Sequence, residues 1–191
     1  MKKILLTVIL ATAAICAFAQ PRSMGLRIGV GGLEASYQHS IKRNQFVEGN
    51  LGLDFGYNAN GTPGIKAEGT YNIIWARPAW TNKGSWAIYS GPGAAIGYVN
   101  DMTVRKGDDG VEVLDSRVRN GFMLGISVQV GLEYTFEFPL QLAVDIRPVV
   151  SMHINGKYTH PETNVPYKAR VGFYDNGMLG FVPNISVRYK F

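Results

Sequence analysis

From Phe122 to Phe136 every second residue is apolar: Phe122, Leu124, Ile126, Val128, Val130, Leu132, Tyr134 and Phe136. Between them lie Met123, Gly125, Ser127, Gln129, Gly131, Glu133 and Thr135. Side chains of a strand alternate faces with a period of two, so this pattern predicts one strand with a greasy face and a small or polar face. Its length far exceeds the roughly 5–6 residues of a typical soluble strand. The chain ends on the same rhythm, through Phe181, Pro183, Ile185, Val187, Tyr189 and Phe191.

The rest of the chain divides into further strands of the same kind, eight in all. The first spans Met24 to Val30, with Arg27 opposite its apolar row, and Gly31-Gly32 makes a tight turn. Leu33, Ala35 and Tyr37 alternate with Glu34, Ser36 and Gln38 in the second. After a polar turn from His39 to Asn44, the third runs from Phe46 to Tyr57, with Glu48, Asn50 and Asp54 on its polar face. The fourth, Gly64 to Ala76, sets Lys66, Glu68, Thr70 and Asn72 against Ile65, Ala67, Tyr71, Ile73 and Trp75. In the fifth, Trp86 to Val99, the alternation breaks at Gly91-Pro92-Gly93, which reads as a bulge or bend with unassigned faces. The sixth is the long strand. The seventh begins at Leu140, with Gln141, Ala143, Asp145 and Arg147 opposite the apolar row, and the eighth is read as Gly177 to Phe191. Long segments at 100–116 and 155–176 fall at one end of this arrangement. Short turns near 39–44, 78–85 and 138–139 fall at the other, with both termini.

These features predict an eight-stranded antiparallel up-and-down transmembrane β-barrel. A water-soluble barrel also alternates, with its apolar side inward, but three features break the symmetry. Gly121, Gly125 and Gly131 on the polar face of the sixth strand suit a crowded interior. The polar positions carry both signs of charge, and buried charge must be paired. Aromatics sit toward strand ends on the apolar face (Tyr37, Tyr57, Trp75, Trp86, Tyr98, Tyr134, Phe136, Tyr189 and Phe191), where a membrane interface favours them. In hydrocarbon an unpaired backbone N–H or C=O is costly, so among β structures only a closed barrel spans. The charged set expected in the lumen is Arg27, Glu34, Glu48, Lys66, Glu68, Arg119, Glu133, Asp145, Arg147 and Arg188. Eight strands leave an interior just wide enough for side chains to fill, which favours a packed interior that pins strand register over an ion path.

Composition refines the picture at the N-terminus. Lys2 and Lys3, the apolar run from Ile4 to Ile15 and Ala17-Phe18-Ala19 form a secretory leader pattern, too short for a spanning helix. Residues 1–19 are expected to be a cleaved signal peptide and 20–191 one barrel domain. Cys16 lies in the leader behind Ile15, where a lipid-modified cysteine needs a small residue, so the mature chain carries no cysteine. Loss of Lys2 and Lys3 lowers the formal net charge of +5 by two, which is too modest and scattered to argue for nucleic acid.

Several segments resemble a family of small porin-like outer-membrane β-barrels of the OmpA/OmpX type. They are Gly25-Leu26-Arg27, Glu34-Ala35-Ser36-Tyr37-Gln38, Tyr89-Ser90-Gly91-Pro92-Gly93-Ala94, Gly131-Leu132-Glu133-Tyr134, Phe138-Pro139-Leu140-Gln141-Leu142, Asp145-Ile146-Arg147-Pro148 and Val187-Arg188-Tyr189-Lys190-Phe191. The resemblance implies an eight-stranded barrel in the outer membrane of a diderm bacterium, without established catalytic residues. Tyr189 and Phe191 resemble the terminal signal read by the outer-membrane assembly machinery.

No enzyme, cofactor or metal site is expected. The alternatives are a narrow pore and a lipid A-modifying enzyme at the outer rim. The latter would use Ser151 and His153, which share the parity of Asp145 and Arg147. Neighbours two apart on a strand lie about 6–7 Å apart along it, beyond direct hydrogen-bond reach. His39 and His160 read as solvent residues. Asp108-Asp109 falls short of a calcium coordination shell. Lys157, Tyr158, Tyr167, Lys168 and Arg170 mix aromatic and basic groups on the longest loop. Loops on rigid scaffolds concentrate function, and this one is the expected contact surface for lipopolysaccharide phosphates, host surfaces or another protein, the alternative being that its basic residues neutralise the anionic leaflet of outer-membrane lipids. The chain is expected to act as a monomer.

Overall fold

The structure, a computed structural model, describes residues 22–56, 63–102, 105–106, 112–113, 118–156, 158–159, 166–167 and 170–191, with side chains described outside 102–119 and 157–170. The leader, Tyr57, Asp108-Asp109 and His160 lie outside the described residues.

Ten strands build eight staves. They are β1 (Arg22–Gly29), β2 (Gly32–Lys42), β3 (Gln45–Asp54), β4 (Gly64–Ala76), β5 (Ser85–Met102), β6 (Val118–Thr135), β7 (Leu140–Ile146), β8 (Val149–Asn155), β9 (Arg170–Phe173) and β10 (Asn184–Lys190). Neighbours from β1 to β6 pair antiparallel in sequence order. The lower half of β6 pairs with β7 and its upper half with β8, so β7 and β8 form one interrupted stave. β9 pairs with β8 and β10 with β7, which makes the eighth stave. β10 also pairs with β1, Met24 opposite Tyr189 and Ile28 opposite Ile185, and this seam closes the barrel. This seam removes the open edge in the half of the barrel that carries the short turns, while β9 pairs only with β8 among the described residues.

The alternation read along the chain maps onto two faces. Leu26, Leu51, Ile65, Ile126 and Ile185 point outward and are exposed, whereas Arg27, Glu48, Glu68, Gln129 and Arg188 point inward and are buried. The interior is not polar throughout. Toward the loop end Ala95, Val99, Met123, Val149 and Tyr174 form a buried apolar cluster. Toward the other end Phe46 packs edge-on against Tyr89, ring centroids 5.1 Å apart.

Three expectations change. The second strand extends to Lys42, so His39 is no turn residue: it lies within β2, stacked over Tyr37 at 6.5 Å. The fifth strand does not bend at Gly91-Pro92-Gly93. It runs unbroken for 18 residues in constant register with β6, Gly91 opposite Gln129 and Gly93 opposite Ser127. Pro92 points outward and the two glycines inward, and the missing N–H coincides with a lapse in the β4 ladder, whose pairs skip from Thr70–Gly93 to Ile73–Ser90.

The eighth strand does not begin at Gly177. Asp175–Phe181 is a 3-10 helix, and regular pairing resumes only at Asn184. Phe181, Val182 and Pro183 are all exposed in succession, so the apparent alternation through them does not mark two sheet faces. The interruption has a partner across the ladder at Pro148, which cannot donate a ladder hydrogen bond. There the Arg147 backbone N–H donates instead to Gly180 O at 2.7 Å, and Val128 N–H donates to Pro148 O at 3.3 Å. The first bond joins the two breaks directly, and β6 satisfies the Pro148 carbonyl.

Candidate functional site

The residues that distinguish this barrel's interior project from seven of the eight staves toward one layer. Arg27 of β1 donates from Nη1 to Glu34 at 2.8 Å and from Nη2 to Asp145 at 2.7 Å, with Nε also on Asp145 at 3.2 Å. Arg147, held at the proline break, reaches Glu48 at 2.9 Å and faces Glu68 at 3.6 Å. Arg188 of β10 binds the same Glu48 oxygen at 2.8 Å and Ser36 at 2.9 Å. Lys66 lies 3.4 Å from Glu34. Glu48 also accepts from Gln129 at 3.2 Å and from Ser36 at 3.2 Å, so one carboxylate joins two guanidiniums, an amide and a hydroxyl. Gln129 accepts in turn from Thr70 and Asn72.

The charged members are between 0% and 5% exposed, Lys66 apart. Removing such ions from water costs several kcal/mol each, and only dense pairing with further hydrogen bonds offsets it. The geometry meets that requirement, because each of the three arginines contacts carboxylates from other strands. Such a lattice ties strand to strand across the lumen and opposes a register slip, which would carry the charges to the apolar face.

The remaining stave, β5, supplies space. Its inward row includes Tyr89, Gly91, Gly93 and Ala95. A β-carbon built on Gly93 would run into Ser127 and Thr70, and one on Gly91 into the backbone of Tyr71 and Asn72. Gly131 of β6 lies beneath the Tyr89 ring, and Gly125 lies against Ser151. The small residues read from the sequence thus stand where neighbours need the room.

Of the expected lumen set, Arg27, Glu34, Glu48, Lys66, Glu68, Asp145, Arg147 and Arg188 meet in this layer. Glu133 lies lower and accepts from Gln38 at 3.1 Å. The Arg119 side chain lies outside the described ones. Gln38, Gln129 and Gln141 belong to the polar interior and were not singled out, although their inward parity was readable. Asp54 shares that parity on the polar face of the third strand, whereas Tyr174 has no such signal. The Tyr174 hydroxyl donates to Asp54, Asp175 N–H donates to Asp101 at 2.7 Å, and Asn176 donates to Asn100 O at 2.6 Å. The start of the 3-10 segment therefore crosses from the eighth stave to β3 and β5 over the loop end of the lumen.

Ser151 and His153 both face inward and are buried. His153 Nε2 lies 3.0 Å from Val99 O. A carbonyl only accepts, so Nε2 carries the proton and donates. Ser151 Oγ has no hydrogen-bond partner among the described residues. The two do not form the nucleophile–base contact that acyl chemistry needs. Among the described residues no group of three or more His, Cys, Asp or Glu is placed to hold a metal ion.

The expected loop surface falls beyond reach. Lys157 and Lys168 lie outside the described residues, as do the side chains of Tyr158, Tyr167 and Arg170. At the opposite end the aromatics form a continuous row: Trp80, Trp86, Tyr134, Phe136 and Phe138 have successive ring centroids 5.4, 4.6, 4.6 and 4.8 Å apart. Tyr189 and Phe191 stack at 6.4 Å beside the seam, where Phe191 N–H donates to Arg22 O at 2.9 Å. Comparison of the chain with protein-family models, curated proteins and solved structures finds no match.

Proposed function

We propose that this chain is a non-enzymatic integral outer-membrane β-barrel of the OmpA/OmpX type, exported behind a cleaved leader at residues 1–19. It works as a monomer in envelope support or in contacts made by its longer loops, with at most slight permeability. Outer-membrane lipids and lipopolysaccharide surround it, and the assembly machinery reads Tyr189 and Phe191.

One observation carries the reading: the barrel is inside out. Large apolar side chains are exposed on the outer face of every stave, among them Leu26, Leu33, Leu51, Ile65, Ile96, Ile126, Val144 and Ile185, while the charges are buried. In water such a belt far exceeds the few hundred Å² of contiguous apolar patch that a soluble monomer tolerates. Hydrocarbon removes that cost, and the closed ladder pairs strand backbone that an open sheet would leave for it to penalise. The filled interior favours support over conduction. The row of rings at the short-turn end suits an interface with headgroups.

Membrane fractionation tests this reading. The mature chain is expected in the outer-membrane fraction, resistant to carbonate extraction, requiring detergent, and migrating faster on a gel before boiling than after. A monodisperse, detergent-free protein in buffer would overturn it. A point variant sharpens the test. Ile126→Arg, at the middle of the outward face of β6, is expected to destabilise the barrel by about 2–4 kcal/mol, the cost of a cation facing lipid near the midplane. In a water-soluble barrel the same exposed change would be nearly neutral, and an unchanged urea midpoint would count against the membrane.

A further inference from the structure

A cavity of about 450 Å³ opens at the end of the barrel that carries the short turns and the seam. Five cations line it, Lys42, Arg43, Arg77 and Lys190 at the rim and Arg22 buried in the wall. Lys42, Arg43, Arg77 and Lys190 are exposed, and Arg77 is steadied by donating to Arg43 O at 2.9 Å. The sole acidic lining residue is Glu133. It sits on β6 two residues inside the strand end, on the same inward row as Thr135, and is buried.

The floor has a defined polarity. Glu133 is a carboxylate and can only accept, so the Gln38 amide nitrogen must point to it, as it does at 3.1 Å. Gln38 then presents its oxygen, which accepts from Ser23 at 3.0 Å and from Gln141 Nε2 at 2.8 Å. Gln141 has spent its nitrogen, and its Oε1 is left as a buried acceptor with no partner among the described residues. Glu133 has no lysine or arginine nitrogen within ion-pair distance among the described residues, unlike the other acids of the lumen layer. Glu133 and Gln141 Oε1 therefore offer acceptors in the interior of the cavity, and four exposed cations stand at its mouth, with Arg22 buried in the wall.

We propose that this vestibule binds a small zwitterion, entering with its ammonium toward Glu133 and Gln141 Oε1 and leaving its phosphate or carboxylate among Arg43, Arg77, Lys42 and Lys190. An ammonium supplies the donors the floor lacks. Guanidiniums at the mouth hold a phosphate or carboxylate by paired N–H donors. The size matches the lower range of small-molecule sites. The chemistry is shared by a phosphoethanolamine headgroup and by a short acidic peptide with a free amino end.

Calorimetric titration of the full mature protein in a non-ionic maltoside detergent separates the cases. The probes are glycerophosphoethanolamine, the dipeptide alanyl-glutamate, inorganic phosphate and ethanolamine. One or both zwitterions are expected to bind at least about tenfold more tightly than either phosphate or ethanolamine, the scale of one added charged hydrogen bond. Binding of the first alone identifies a headgroup site, and of the second alone a peptide site. Glu133→Gln, or Gln141→Leu as an independent variant, is expected to weaken the zwitterion about tenfold and leave phosphate unchanged. Arg43→Ala combined with Arg77→Ala, both at exposed positions, is expected to weaken zwitterion and phosphate alike. Phosphate binding as tightly as the zwitterions overturns the proposal, as does the absence of binding by all four probes. The comparison of probes on the unaltered protein decides the matter even if the Glu133 variant fails to fold.

Discussion

Replacing Glu48 by leucine is expected to destabilise the barrel by about 3–5 kcal/mol, the usual cost of deleting one partner from a buried ion pair. Glu48 is 1% exposed and receives Arg147 at 2.9 Å and Arg188 at 2.8 Å on one oxygen, with Gln129 on the other. Leucine fills similar space but leaves two guanidiniums competing for what remains. Arg147 still faces Glu68 at 3.6 Å, whereas Arg188 keeps only the Ser36 hydroxyl among its hydrogen bonds. Glu48→Gln retains acceptor and shape and loses only charge, so its cost is expected to be smaller. Urea unfolding in micelles, followed by tryptophan fluorescence and by the gel shift between folded and boiled forms, measures both. A loss below about 1 kcal/mol for Glu48→Leu would mean that water reaches the lumen and screens the arginines as at a surface.

The second large effect belongs to Tyr174. Tyr174→Ala is expected to cost about 3–5 kcal/mol, the range for truncating a buried aromatic. Its ring packs among Ala95, Val99, Met123 and Val149, and its hydroxyl donates to Asp54. Truncation removes that packing and leaves the Asp54 carboxylate without its phenol. Tyr174→Phe separates the two contributions, keeping the ring and losing only the hydrogen bond, with about 1–3 kcal/mol expected. Neither change is expected to produce resolved single-channel events in planar bilayers, because the charged layer below still fills the barrel. Stable conductance in Tyr174→Ala with none in the unaltered protein would show instead that the 3-10 segment is the closure and the charged layer is permeable.

Much of this architecture is legible in the sequence. The two-residue rhythm of the sixth strand marks both its faces, since Leu124, Ile126 and Val128 are exposed while Met123, Ser127 and Gln129 are buried. The same parity brought Arg27, Glu34, Glu48, Glu68, Asp145, Arg147 and Arg188 to one interior. Glycines at 121, 125 and 131 read as concessions to crowding, and neighbouring side chains stand close to each of them. Where the reading failed, local pattern and tertiary context diverged. Gly91-Pro92-Gly93 looks like a break because proline and glycine usually are one. Here pairing with β6 holds the register through all three residues and only the β4 ladder lapses beside the proline, so the strand continues. Phe181 and Pro183 fall on the period of a strand, yet the backbone coils through them to meet the gap at Pro148.

The sequence by itself determined the count of eight staves, the apolar and polar faces and the charges expected inside, because a pleated strand assigns faces by parity alone and needs no partner to do so; that two staves are interrupted came only from the pairing. Only the tertiary structure decided which carboxylate meets which guanidinium, that Glu48 is shared, that Tyr174 reaches Asp54 across the barrel mouth, and that Gln141 ends a hydrogen-bond chain with an acceptor to spare. Those outcomes depend on stagger between strands distant in sequence. A shift of a few ångströms in that stagger exchanges every partner while leaving each strand's own pattern untouched.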